Sequence, residues 1–261
     1  MKNEVVKSTL KRLCAAALAL MLLLSLAGCK SYPATEDADA ALKSDALVSV
    51  STVRNAVFFD GPGETQALIF YPGAKVEETA YAPLLHTLAS SGVDCFAVKM
   101  PAGYAFLGVN RAKKVMKRFD YERWFLAGHS LGGAMAAKFA AKHKDKIDGL
   151  ILLGAYSASN LKKAEFPVLY IYGTNDEILT RKKLDKGLKK SAPDTRVVEL
   201  EGGNHANFGA YGKQEGDGKA KLSRKKQTSQ TAGEILRLIA ETATVIENEE
   251  LTVNCLIETT A

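Results

Sequence analysis

The chain has 261 residues, 47% of them hydrophobic and 25% charged, with a formal net charge of +6. That length builds one α/β domain or two small ones, and the balance excludes a disordered, collagen-like or multi-pass membrane chain. Residues 1–28 hold four of the basic side chains and Glu4, so the charge without them is +3. No basic stripe interleaved with aromatics points to nucleic acid.

The chain opens on Lys2, Lys7, Lys11 and Arg12, followed by an apolar run from Cys14 to Leu24 and then Leu26-Ala27-Gly28-Cys29. The run is too short to span a bilayer, which takes roughly 20 residues. Basic start, apolar run and small residues before a cysteine resemble a bacterial lipoprotein signal peptide over residues 1–28. Cys29 would then be the lipid-modified first residue of the exported chain, holding it to the extracytoplasmic face of the cell membrane. Residues 29–46 are polar, small and acidic and read as a tether. Of the four cysteines, Cys14 leaves with the signal and Cys29 is the anchor. Cys95 and Cys255 make neither a disulfide framework nor a metal-type C-x-x-C pair, and Cys95 reads as a small buried hydrophobe.

From residue 47 to 241 short β-rich runs alternate with helical patterns, which predicts a mostly parallel sheet covered on both faces. Leu47–Val53 and Ala56–Phe59 read as an opening hairpin. The runs Ala67–Tyr71, Val93–Met100, Trp124–Ala127, Leu150–Leu153, Pro167–Tyr172 and Arg196–Leu200 are dense in Val, Ile, Leu and aromatics, as strands buried on both faces require. Helical spacing falls over Glu77–Ser90, Asn110–Arg118, Leu131–His143, Lys182–Lys190 and Gly233–Glu241. Residues 242–261 are a tail whose structure is open, with Leu251–Ile257 a possible strand. Arg224-Lys225-Lys226 reads as a solvated helix face.

The chemistry is concentrated in Gly128-His129-Ser130-Leu131-Gly132, where an apolar strand turns straight into an Ala-rich helix. In a G-x-S-x-G turn the reversal strains the serine backbone, and side chains two residues either side would collide, so glycine stands at 128 and 132. Ser130 Oγ is then thrust above the sheet as a nucleophile. A serine hydroxyl needs a base. Of the four histidines, His86 lies on the polar side of a helix, His129 sits within the turn and cannot fold back on the serine, and His143 is at the far end of the following helix. His205, directly after the last strand, shares the carboxyl edge of the sheet with Ser130 and is the base. Asp176, after Pro167–Tyr172, is on the same edge and would orient the imidazole, with Glu177 as fallback; Asp145 and Asp148 precede a strand and belong to the opposite edge. Two backbone N–H groups must face the developing oxyanion. Leu131 supplies one, and the loop Tyr71-Pro72-Gly73-Ala74-Lys75-Val76 the other, with Ala74 preferred over Lys75.

From about Ala67 to Gln227 the chain resembles the α/β-hydrolase family, on YPGAKVEETAYAPL, VKMP, GHSLGGAMAAKF, IYGTND and GGNHANFGAYGKQEGDG. The resemblance implies an α/β-hydrolase fold and a serine hydrolase with Ser130 as nucleophile, Asp176 as acid and His205 as base. Such an enzyme cleaves a carboxylic ester, thioester or amide through an acyl-enzyme, with no cofactor or metal. The stretch from Gly154 to Glu165 is too short for a lid domain, which favours small or surface-presented esters. The alternative is a lipid-anchored envelope or binding protein that keeps the scaffold without turnover. Gly216-Asp217-Gly218 lacks the other regularly spaced oxygen ligands of a calcium loop and reads as a structural turn.

Overall fold

The computed structural model describes residues 31–260, with side chains as far as 244; the signal at 1–28 and the lipidation site Cys29 lie outside the described residues. Eight strands form one sheet: β1 (Ser49–Val53), β2 (Ala56–Asp60), β3 (Gln66–Tyr71), β4 (Asp94–Val98), β5 (Arg123–His129), β6 (Gly149–Leu153), β7 (Val168–Gly173) and β8 (Thr195–Leu200). Their order is β1-β2-β4-β3-β5-β6-β7-β8. β2 runs antiparallel to both of its neighbours, and from β4 onward every pair is parallel.

Alternation along the central strands feeds two cores. Leu68, Phe70, Phe125, Ala127, Ile151 and Leu169 face one side, and Ala67, Ile69, Leu126, Leu150, Leu152 and Val168 the other. Helices Ala82–Ser90 and Arg224–Thr260 cover the first side, and Arg111–Met116, Leu131–Ala140 and Arg181–Leu188 the second. Each fully buried Leu, Ile or Phe contributes about 1.5–3 kcal/mol relative to exposure, which is why strands buried on both faces carry few polar residues. Cys95 is a free, fully buried thiol in β4.

Three segments differ from the sequence expectation. The helix expected over Glu77–Ser90 divides into a 3₁₀ turn, Glu78–Tyr81, and an α-helix that starts at Ala82 with Pro83 in its first turn, where a missing N–H costs nothing. The C-terminal helix begins at Arg224 rather than Gly233 and runs on through the tail to Thr260. Residues 32–42, expected within a tether, pack on the domain: Tyr32 pairs with Val76, Thr35 N–H donates to the Ala210 carbonyl at 2.8 Å, and Ala38 is fully buried. From 154 to 167 the chain crosses the sheet edge without helix or strand, so no lid domain stands there.

Candidate functional site

β5 delivers Ser130 into a conformation that only a tight turn imposes. Its φ of 53° and ψ of −122° lie in the left-handed half of backbone space, costly for a residue with a Cβ. The neighbours hold it there. A Cβ on Gly132 would lie 2.1 Å from the Tyr71 carbonyl oxygen, and one on Gly128 would meet the Gly132 carbonyl carbon at 2.6 Å. The close approach at Gly132 brings the start of helix Leu131–Ala140 against the end of β3. Ser130 N–H donates to the Leu153 carbonyl at 3.0 Å. As the first helical residue, Leu131 has no intrahelical acceptor for its N–H.

The structure brings Asp176 and His205 together across 29 residues of chain. Asp176 Oδ2 accepts from His205 Nδ1 at 2.8 Å, and each side chain is only 1% exposed. Asp176 Oδ1 accepts the N–H groups of Ile178 at 2.9 Å and Leu179 at 2.8 Å, which locks the carboxylate's orientation. With Nδ1–H donating to the carboxylate, the unprotonated Nε2 of the imidazole offers a lone pair. That atom is buried and has no hydrogen-bond partner among the described residues, Ser130 Oγ included. Gly154 connects the pair to the serine: it follows Leu153, and a Cβ on it would lie 2.9 Å from His205 Nδ1 and 3.1 Å from Asp176 Oδ2. Glu177 is exposed, and His205 Nδ1 pairs with Asp176 instead. Asp148 lies at the opposite edge, its carboxylate accepting Trp124 N–H at 2.7 Å.

In the loop after β3, Gly73 N–H donates to Tyr81 Oη at 3.0 Å, Lys75 N–H to the Gly103 carbonyl at 2.7 Å, and Val76 N–H to the Gly73 carbonyl at 3.2 Å. Pro72 has no N–H. Ala74 N–H is therefore the loop donor left without an acceptor among the described residues, whereas Lys75 is committed elsewhere.

Sequence reasoning missed the groups that hold His205. The Asp217 carboxylate accepts N–H from His205 at 3.2 Å, Ala206 at 2.8 Å and Gly218 at 2.9 Å. Gln227, fully buried at the start of the C-terminal helix, clamps the Asn204 backbone, donating to its carbonyl at 2.8 Å and accepting its N–H at 3.1 Å. Asn204 in turn donates to the Gly218 carbonyl at 2.8 Å. The G-D-G turn thus serves the histidine loop, and no trio of side chains suited to a metal occurs among the described residues. The one hint in the sequence is an Asp-Gly turn twelve residues after His205.

His129 is the other missed residue. It is fully buried, its Nδ1 lies 2.8 Å from Tyr81 Oη, and its ring centre is 4.5 Å from that of His205. Burial, with His205 alongside, holds its pKa well below the usual histidine value, the nearby His205 backbone opposing this only in part.

A family model described as the alpha/beta hydrolase family matches residues 67–229. A protein of Mycobacterium phage D29, provisionally named a non-heme haloperoxidase, is 28% identical over 142 residues, covering 49% of this chain. The chain spans about half the length of that curated relative (50%). Among solved structures, Est1E from Butyrivibrio proteoclasticus superposes with a TM-score of 0.54 at 16% identity, covering 75% of this chain and 100% of its own. Carboxylesterase CesB from Bacillus subtilis gives 0.57 at 11% identity, covering 78% and 95%. At such identities the likeness is one of fold.

Proposed function

Because the chain belongs to the alpha/beta hydrolase family, we propose that it is a serine hydrolase cleaving a carboxylic ester, or the related thioester or amide, through Ser130, His205 and Asp176. The observation that carries this is the buried His205–Asp176 pair with a free Nε2, on the sheet edge where β5 presents a strained serine.

In the proposed cycle Ser130 Oγ attacks the substrate carbonyl carbon as its proton passes to His205 Nε2, and the carbonyl π pair moves onto oxygen. Leu131 and Ala74 N–H groups face that oxyanion. When the pair returns, the bond to the leaving group breaks and the leaving group takes the proton from His205. Water repeats the sequence on the acyl-serine and releases the acid. Asp176 holds the proton on Nδ1 and stabilises the imidazolium. The short 154–165 crossing supports small or surface-presented esters as substrates. The lipoprotein-like residues 1–29 support a site held at the membrane's outer face by a lipid on Cys29.

A panel of p-nitrophenyl esters of increasing acyl length tests the reading. Wild-type protein hydrolyses short members, and Ser130→Ala loses at least ~10³-fold in kcat/KM with its thermal midpoint kept. Equal turnover by both proteins would overturn it.

A further inference from the structure

The Tyr81 hydroxyl stands between the loop after β3 and the end of β5. It accepts Gly73 N–H at 3.0 Å and lies 2.8 Å from His129 Nδ1. A tyrosine hydroxyl has one proton to donate; donated to Nδ1, it places the proton of a neutral His129 on Nε2, which has no hydrogen-bond partner among the described residues. All three groups are sealed from water, with Tyr81 and His129 both 0% exposed. Glycine at position 73 gives them room: a Cβ there would lie 3.0 Å from His129 Nδ1 and 3.2 Å from Tyr81 Oη, so that the ring or the hydroxyl would have to shift by a few tenths of an ångström.

The two ends of this bridge have chemical neighbours. Gly73 immediately precedes Ala74, and His129 immediately precedes Ser130 and stands two residues before Leu131. The bridge therefore joins the residue beside one oxyanion donor to the residue beside the nucleophile and the other donor. It also occupies Gly73 N–H, so that within the loop only Ala74 N–H is left to face a substrate oxygen.

We propose that Tyr81 and His129 are positioning residues that set the separation and aim of the Ala74 and Leu131 N–H groups. The proposal rests on the serine-hydrolase reading above and deepens it. Neither side chain touches substrate. Their effect falls on the tetrahedral oxyanion more than on the bound ester, because hydrogen-bond donors aimed at developing charge act mainly in the transition state.

The test uses the full chain, p-nitrophenyl acetate, and an aryl trifluoromethyl ketone, whose carbonyl becomes a tetrahedral oxyanion once Ser130 adds to it. Tyr81→Phe keeps the ring and removes the bridge; it should lower kcat by about 10- to 100-fold, less than or comparable to outright loss of a hole donor, with KM nearly unchanged. Ketone affinity should fall by a similar factor. His129→Asn places an acceptor oxygen near the position of Nδ1 and should retain most of the activity, whereas His129→Leu should lose as much as Tyr81→Phe. A Tyr81→Phe protein that melts earlier but keeps kcat and ketone affinity would overturn the bridge, as would equal losses in His129→Asn and His129→Leu. If wild-type protein forms no ketone adduct at Ser130, the serine-hydrolase reading itself falls and the bridge with it. An adduct formed equally well by wild type and Tyr81→Phe removes the bridge alone.

Discussion

The two halves of the site are built in opposite ways. The serine half, from β5 into helix Leu131–Ala140, is local: a five-residue turn sets the strained backbone at Ser130, and its glycines relieve contacts with residues close in sequence or with the end of β3. The histidine half, from the end of β8 to the first turn of the C-terminal helix, is held from a distance. Asp176 reaches His205 from 29 residues away, Asp217 from 12, and Gln227 grips Asn204 from 23. A local device is robust and readable. A distributed one depends on many single bonds, each replaceable only with loss.

That contrast can be broken by mutation. Asp176→Asn keeps the shape and removes the charge that fixes the His205 tautomer, and kcat should fall by about 10³- to 10⁴-fold while Ser130 stays in its turn. A near-normal kcat would show that the histidine half needs no such partner. Asp217→Ala strips three N–H groups of their acceptor. It should lower kcat on the p-nitrophenyl ester roughly 10-fold or more through misplacement of His205 and reduce stability by about 1–3 kcal/mol. A variant that is as active as wild type would mean the histidine loop holds itself.

The same contrast explains what the sequence made legible. The strand runs, their parallel arrangement and the elbow follow from hydrophobic spacing and from a motif whose glycines have a steric purpose. The pairing of His205 with Asp176 is expected from the edge on which each strand ends. Asp217 and Gln227 stayed hidden because a carboxylate capping backbone amides and an amide clamping a remote peptide leave no periodic trace. Residues 32–42 differ from the expected tether for a related reason. Their composition is that of a polar linker, yet Tyr32, Ala38 and a few backbone bonds suffice to seat them. The first turns of the C-terminal helix are likewise rich in Lys, Gln, Ser and Thr, which masks the buried Gln227 and Thr231.

A smaller effect sharpens the comparison through pH. His129 belongs to the serine half and is neutral because it is buried. Its protonation is easier in the unfolded chain, where an ordinary histidine titrates near pH 6.5. Below that pH the unfolded state binds the extra proton, so stability declines as pH falls, by at most about 1.4 kcal/mol per pH unit from this group. Denaturation between pH 7 and 5 should show a shallower decline for His129→Asn than for wild type. Parallel curves would mean that His129 is not the group responsible.

The most direct test of the central claim is to treat the protein with a fluorophosphonate and locate the adduct by peptide mass spectrometry. The account predicts one phosphonylated residue, Ser130, formed at a rate that collapses in His205→Gln. An adduct on another residue, or none on a folded wild-type protein, would contradict it.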